Sequence, residues 1–320
     1  MVYKLDKKDR AILYQLDLDS RQSFKQIAKK VGLSREVVQY RTKQLEKNSV
    51  IKGYQTMIDV TKLGYINCRF FIKLQKDTPE QENKIIGYYK KHPKFWWVDS
   101  IDGFRDLGLA CWVKNIYEFY ELREDLMKRF GDYIFELDMS IYCKFYIYKR
   151  DYLNDKKSKI LPEVKVMFFP EKSDFDSIDL EILRLISANA RMSSVDISKK
   201  TKISITNVTY RIKKMIEKGI IKDFRVILDL EKIGYYWYKI EIQLEDLTIK
   251  EKMLDYFHRH PNIIYAYETI SDNDLEFEME VESYEEFRKI LNDIRNLFGK
   301  SIKKYHHLLW FKEHKFLFMP

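Results

Sequence analysis

Residues 33–51 read LSREVVQYRTKQLEKNSVI, and residues 203–221 read ISITNVTYRIKKMIEKGII. In the first stretch Arg35, Gln39 and Lys43 recur every fourth residue and Tyr40 stands three before Lys43, so on a helix they share one face. The chemistry such a face offers is hydrogen-bond donation. Arginine pairs with the guanine edge and glutamine with the adenine edge of a DNA major groove, whereas lysine meets phosphates. The second stretch presents Thr206, Thr209, Tyr210 and Lys213 in the same way. Base contacts are therefore assigned to Arg35, Gln39, Tyr40, Thr206, Thr209 and Tyr210, and phosphate contacts to Arg41, Lys43, Arg211 and Lys213. Lys52, Lys222 and Arg225, in the extended segments that follow, are further phosphate candidates.

Little else in the chain could do covalent or metal chemistry. There is no GxGxxG, phosphate-binding loop or nucleophile elbow. His306, His307 and His314 fit no common metal-ligand spacing, and Cys68, Cys111 and Cys143 are far apart and read as core or strand residues of a reducing compartment. No catalytic residue, metal or cofactor is expected. No window is apolar for the length of a membrane span, and the charged amino terminus lacks the apolar core of a signal peptide, so a cytoplasmic protein is expected.

Three short helices must carry each donor face, because three polar caps each precede an apolar stripe. Asp6 with Asp9 opens the first helix, Ser23 with Gln26 forms a capping box for the second, and Ser34 caps the third, with Val38, Thr42 and Leu45 turned inward. At a constant offset of 170 the pattern returns: Asp176, Asp179, Arg191, Ser193, Ser204, Val208, Tyr210 and Arg211 stand where Asp6, Asp9, Arg21, Ser23, Ser34, Val38, Tyr40 and Arg41 stood. Lys202 replaces Gly32, so the second turn must form without glycine. A solvated helix also shows a charged face, but two helices joined by a short turn, met twice, read as two helix-turn-helix units. Their charge agrees: residues 1–65 hold 14 Lys and Arg against 7 Asp and Glu, and residues 175–235 hold 12 against 8, so these two segments account for the basic surplus behind the net +9.

Beyond Gly64 and Gly234 the period changes from 3.6 to 2. Strand, helix, two strands, helix and strand follow in each copy, the order of a ferredoxin-like βαββαβ sheet. Here the offset becomes 168, aligning Asp106 with Asp274 and Gly131 with Gly299. The fold class is α+β, with two copies of a winged helix-turn-helix domain followed by a ferredoxin-like domain. Expected boundaries are 1–62 and 63–150 for the first copy, 151–174 for a linker, and 175–232 and 233–320 for the second.

The start LDKKDRAILYQL, the segment IAKKVGLSREVVQYRTKQLEKNSVIKGY, the hinge DVTKLGY and the turn GFRDL together resemble the Lrp/AsnC family of transcription regulators. The second copy matches through IDLEILRLISANARMSSVDISKKTKISITNVTYRIKKMIEKGIIKDF, DLEKIGY and SDNDL. The resemblance implies double-stranded DNA as partner, a family that works as dimers or larger assemblies, and control by a small-molecule effector such as an amino acid. It places effector candidates at Gly103, Asp106 and Asp274, near the turn matching GFRDL. Ser271 stands where Gly103 does, which puts the second effector site in doubt. Two units in one chain depart from the usual single unit. The expectation is an intramolecular pseudo-dimer, sheet against sheet, that reads two unlike half-sites, with further homo-oligomers open. Siroheme decarboxylases share this architecture, also as fused pairs, but their catalytic segment carries a histidine that IDGFRDLGLACWV and ISDNDLEFEMEV lack. A sequence-indifferent architectural DNA binder is the other alternative.

Overall fold

The computed structural model describes residues 2–75, 78–154, 161–168, 171–317 and 319. The first copy comprises α1 (Lys7–Leu18), α2 (Phe24–Val31), α3 (Arg35–Lys47), β1 (Ile51–Ile58), β2 (Ile66–Leu74), α4 (Pro79–Lys91), β3 (Phe95–Asp102), β4 (Leu107–Val113), α5 (Ile116–Phe130) and β5 (Ile134–Ile147). A short strand, β6 (Lys165–Met167), pairs with the end of β5 inside the expected linker, of which residues 155–160 and 169–170 lie outside the described residues. The second copy runs α6 (Ser177–Ala188), α7 (Ser194–Thr201), α8 (Ile205–Glu217), β7 (Ile221–Leu228), β8 (Tyr236–Leu244), α9 (Lys250–Arg259), β9 (Ile263–Ile270), β10 (Leu275–Val281), α10 (Tyr284–Phe298) and β11 (Ile302–Phe316).

The expected caps form. The Asp6 and Asp176 carboxylates accept from the amides of Asp9 and Asp179, and Ser34 and Ser204 cap α3 and α8. Gly32 ends α2 with φ 70, and Lys202 takes the same left-handed corner with φ 57, a conformation that costs a β-carbon-bearing residue some strain. Val38, Thr42 and Leu45, with Val208, Ile212 and Met215, form the buried stripes.

The extended segments after α3 and α8, expected as wings or connecting strands, act as connecting strands. β1 and β7 pair antiparallel, Tyr54 opposite Val226 and Gln55 opposite Arg225, so the two helical units are joined through their strands. Each unit's first helix packs on the other copy's strand, α1 on β7 and α6 on β1. The cores are mixed accordingly: Val226 and Leu228 of the second copy lie in the core of α1 to α3, and Met57 and Ile58 of the first lie with α6 to α8.

The ferredoxin-like sheets are also joined. Strand order is β2-β4-β3-β11-β8-β10-β9-β5, and β5 pairs again with β2, closing a ring. The closure rests on two long strands. β5 pairs with β2 from Ile134 to Ile141, then leaves its own sheet and pairs with β9 as far as Ile147. β11 does the reverse, pairing with β8 up to Leu309 and with β3 from there to Phe316. Both sheets thereby lose an exposed edge. Helices α4 and α5 cover the outside of one sheet and α9 and α10 the other.

The inner faces diverge between copies. Alternation along β10 turns Leu275, Phe277, Met279 and Val281 toward the outer helices and Glu276, Glu278 and Glu280 inward; the equivalent inward residues of β4 are Gly108, Ala110 and Trp112. Glycine is required at 108, because a β-carbon there would stand 2.5 Å from Cη2 of Trp97. Arg69 of β2 crosses the interior to Glu276, its two terminal nitrogens 2.9 and 2.7 Å from the carboxylate oxygens, and Lys239 Nζ lies 2.6 Å from the same carboxylate.

Candidate nucleic-acid interface and the cavity beneath it

Helices α3 and α8 expose the faces that their donor spacing assigned. Arg35, Tyr40, Lys43, Thr206, Thr209, Tyr210 and Lys213 are exposed and Gln39 is half-buried. Tyr40 and Tyr210 show 65% and 58% of their surfaces, far more than packing residues retain. A reciprocal clamp fixes the two units against each other. Arg21 donates to the carbonyls of Ala190 (2.5 Å) and Met192 (3.2 Å), and Arg191 donates to those of Ser20 and Gln22, residues offset by 170 in each case.

Arg41 and Arg211, assigned to phosphates, are otherwise engaged. Arg41 is 2.8 Å from both Asp6 and Asp9, and Arg211 is 2.8 Å from both Asp176 and Asp179, so each ties the reading helix to the capped start of the first helix. Burial opposes the charge on Asp6, yet the capped amide of Asp9 and the Arg41 guanidinium hold its carboxyl below the ordinary value. Lys52 and Lys222 lie on the strand pair that joins the copies. Lys52 lines the cavity described below, and Lys222 is half-buried with its pKa lowered by that burial, near Asp59 and Lys62. Arg225 is wholly buried and reaches no phosphate: its guanidinium holds Asp17 of α1, with Nη2 2.8 Å from Oδ1.

Asp17 is the centre of a buried network. Arg150 links it at 2.7 Å to Glu280 of β10 at 2.8 Å, while Lys149 pairs with Asp223 and Tyr152 donates to Glu280. Burial by itself would raise the Asp17 pKa; Arg225, Arg150 and Lys149 together drive it far below the usual carboxylate range. The network bonds the helical layer to the sheets, and sequence reasoning missed it because its directly bonded partners lie up to 208 residues apart.

The effector candidates have structural partners. Asp106 accepts from Lys73 Nζ (2.7 Å) and the Leu74 amide (2.6 Å), and Asp274 in the corresponding turn accepts from the Leu244 amide (2.8 Å). Gly103, at φ 140, lies against the backbone of His307 and Leu308. The turns β3–β4 and β9–β10 hold these residues separately. Among the described residues no group of three or more His, Cys, Asp or Glu could hold a metal ion. His314 meets Ser100 Oγ, while His306 and His307 pack on Phe104 and Phe287.

Between the β1–β7 pair and the ring of strands lies a cavity of about 840 Å3. Gln55, Met57, Val226 and Leu228 form its roof; Trp97, Asp99, Tyr267, Glu278, Trp310 and Glu313 are among the residues of its floor and walls.

The same two reading units appear in comparisons with known proteins. Residues 5–46 match the AsnC-type helix-turn-helix domain, and residues 175–222 match a winged helix-turn-helix DNA-binding domain. The transcriptional regulator LysM of Sulfurisphaera tokodaii is 31% identical over 129 residues, which are 40% of this chain and 89% of that protein. The chain belongs to the Lrp/AsnC family. The regulator FL11 of Pyrococcus horikoshii is 28% identical over 146 residues, 44% of this chain and 91% of its own length, so that one Lrp/AsnC relative spans about one copy. The crystal structure of the siroheme decarboxylase NirDL has the same fold, with a TM-score of 0.64 at 13% identity, covering 98% of this chain and 94% of that one. No helix among the described residues of this Lrp/AsnC member is long and apolar enough to cross a membrane.

Proposed function

We propose that this chain is a sequence-specific, DNA-binding transcription regulator that carries both half-site readers of a dimer in one polypeptide. The observation that carries the reading is the pair of exposed donor faces on α3 and α8, held at fixed spacing by the Arg21 and Arg191 clamp and the β1–β7 pairing. A helix-turn-helix dimer reads two half-sites about one helical turn apart, and its symmetry is mirrored in the operator. Here the two readers differ, Arg35, Gln39 and Tyr40 against Ile205, Thr209 and Tyr210, so the operator is asymmetric. Covalent linkage makes docking of the second reader intramolecular.

Of the phosphate candidates, Lys43 and Lys213 remain available on the reading helices, Lys213 76% exposed with Glu217 3.8 Å away. The test is selection of bound sequences from a random DNA pool. Two unlike half-sites support the reading. Enrichment of no motif, with steeply salt-dependent binding, refutes it in favour of a sequence-indifferent binder.

The full-length likeness to NirDL favours one rival, a siroheme-decarboxylase-like enzyme. Tetrapyrroles of that kind bear several carboxylates. The large cavity here is bordered by Lys52, Arg150 and Lys312 as well as by acids, but Arg150 is taken up by Glu280, and the facing carboxylates Asp99 and Glu313 have the same sign as the ligand's. A bound tetrapyrrole absorbs visible light, so the spectrum of the purified protein mixed with siroheme separates the two readings.

A further inference from the structure

Asp99 on β3 and Glu313 on β11 are directly opposite in an antiparallel pair, an arrangement that places both carboxylates on one face. Like charges so placed repel, and solvent screens them little: Asp99 is 1% exposed and Glu313 is half-buried. Trp97 gives Asp99 a hydrogen bond, but its Oδ1 has no hydrogen-bond partner although a buried carboxylate oxygen normally has one. A third carboxylate, Glu278, faces the same space. It takes Trp237 Nε1 at 3.1 Å and lies 3.5 Å from Lys239, whose closer contact is Glu276 at 2.6 Å. Burial, and for Asp99 also Glu313 and Glu278, pushes all three carboxyls above their ordinary values, with Lys52 opposing at Asp99 and Glu313.

The walls around these groups are aromatic. Trp97 stands edge-on to Trp310 with centroids 4.9 Å apart, and Trp237 edge-on to Trp310 at 6.0 Å. The indole Nε1 of Trp310 is buried and has no hydrogen-bond partner. Aromatic faces combined with unneutralised carboxylates are the chemistry that recognises an organic cation, and a volume of about 840 Å3 suits a small molecule.

We propose that this cavity is a binding site for a small organic cation, an amine whose charged head lies between Asp99 and Glu313 and whose carbon chain lies on the tryptophans. The site is distinct from the β3–β4 and β9–β10 turns where the effector candidates lie, and binding there needs no DNA, so the inference stands or falls apart from the regulator reading. Lys52 at the cavity rim competes with the ligand for the same carboxylates.

The chain supplies its own reporter. Of its five tryptophans, Trp96, Trp97, Trp237 and Trp310 line the cavity, and Trp112 stacks on Trp96 at 4.6 Å. The experiment is titration of the full chain with 1,4-diaminobutane and with choline at constant ionic strength, following tryptophan fluorescence, with 1,4-butanediol as the uncharged control. A saturable change with at least one amine and none with the diol is expected. Asp99→Asn and Glu313→Gln should each weaken it about tenfold, the scale of one lost charge contact, and Lys52→Gln should strengthen it. Asp99→Asn removes a repulsion and keeps the shape, so the variant folds and its binding can be read. The proposal is overturned if neither amine gives saturation, if the diol gives the same response, or if the carboxylate variants bind as the parent does.

Discussion

Exchange of Glu276 for glutamine should destabilise this chain more than removal of the arginine it pairs with. Glu276 is the single carboxylate between two buried cations, Arg69 at 2.7 Å and Lys239 at 2.6 Å, and all three side chains are 2% exposed or less. Arg69→Met leaves Glu276 still paired with Lys239, whereas Glu276→Gln leaves Arg69 with Tyr142 Oη at 3.0 Å as neutral acceptor and Lys239 with Glu278 at 3.5 Å. Breaking a buried pair by deleting one partner costs about 3–5 kcal/mol. Glu276→Gln belongs at the top of that range and Arg69→Met at or below its foot. The double variant should cost less than the sum of the two by about 2 kcal/mol, as expected for residues in one network. The assay is urea unfolding at neutral pH, read as the change in midpoint at constant slope. The pH profile supplies a second readout. Burial would raise the Glu276 carboxyl, but Arg69 and Lys239 bring it down to about 2 from 4.5. A depressed folded pKa gives stability that is present above 4.5 and lost as pH falls from there toward 2, and Glu276→Gln should flatten that limb. Equal costs for the two single variants, or both under about 1 kcal/mol, would refute the dry, shared-carboxylate picture.

Other expectations concern the interface and the cavity. Arg35→Ala should erase discrimination at one base of one half-site, about 1–3 kcal/mol in competition against a mismatched operator, and leave the other half-site unaffected; an unchanged preference would remove α3 from base reading. Lys43→Ala should weaken binding to every sequence alike and lower the logarithmic salt slope by about one, whereas a sequence-dependent loss would reassign it. Asp99→Asn should stabilise the unliganded chain by up to about 1 kcal/mol at neutral pH, the scale of a like-charged cross-strand pair. The sign follows from burial, which raises the folded Asp99 pKa: the parent loses stability as pH rises above the ordinary carboxylate range, and the asparagine variant should lose less. Thermal unfolding of both proteins between pH 4 and 8 checks this, with identical profiles as the contrary result.

Local signals carried the architecture. The caps at Asp6, Ser23 and Ser34 mark the helix starts because a cap needs only the next three residues. Period-2 patterning likewise marks the strands of both ferredoxin-like sheets. What escaped was long-range. Arg41 and Arg211 look like donors on an exposed face, yet each is neutralised by the two aspartates that open the first helix; the joint recurrence of Asp6, Asp9 and Arg41 as Asp176, Asp179 and Arg211 was the available signal. Arg225 sits in an alternating strand as a surface residue would, and only the pairing of β7 with β1 and α1 shows that its side is covered. Strand exchange left a trace in length, since β5 and β11 are 14 and 15 residues long where the other strands of the ring have seven to nine. The cavity had none, because its walls come from strands of both copies that are distant in sequence.

The buried charges also fix what the two halves can no longer be. Asp17 is answered by Arg225, but the residue equivalent to Arg225 in the first copy is Gln55, and the equivalent of Asp17 in the second is Ser187. Arg69 is answered by Glu276, whose first-copy equivalent is Gly108. Two first halves brought together would leave each Asp17 with Arg150 but with a glutamine in place of Arg225, and would bury two guanidiniums against glycines; two second halves would bury Arg225 against serine. Gene fission at the linker would therefore yield a pair of proteins that recognise each other and not themselves. The duplication has passed the point at which either half could return to the life of an ordinary homodimer.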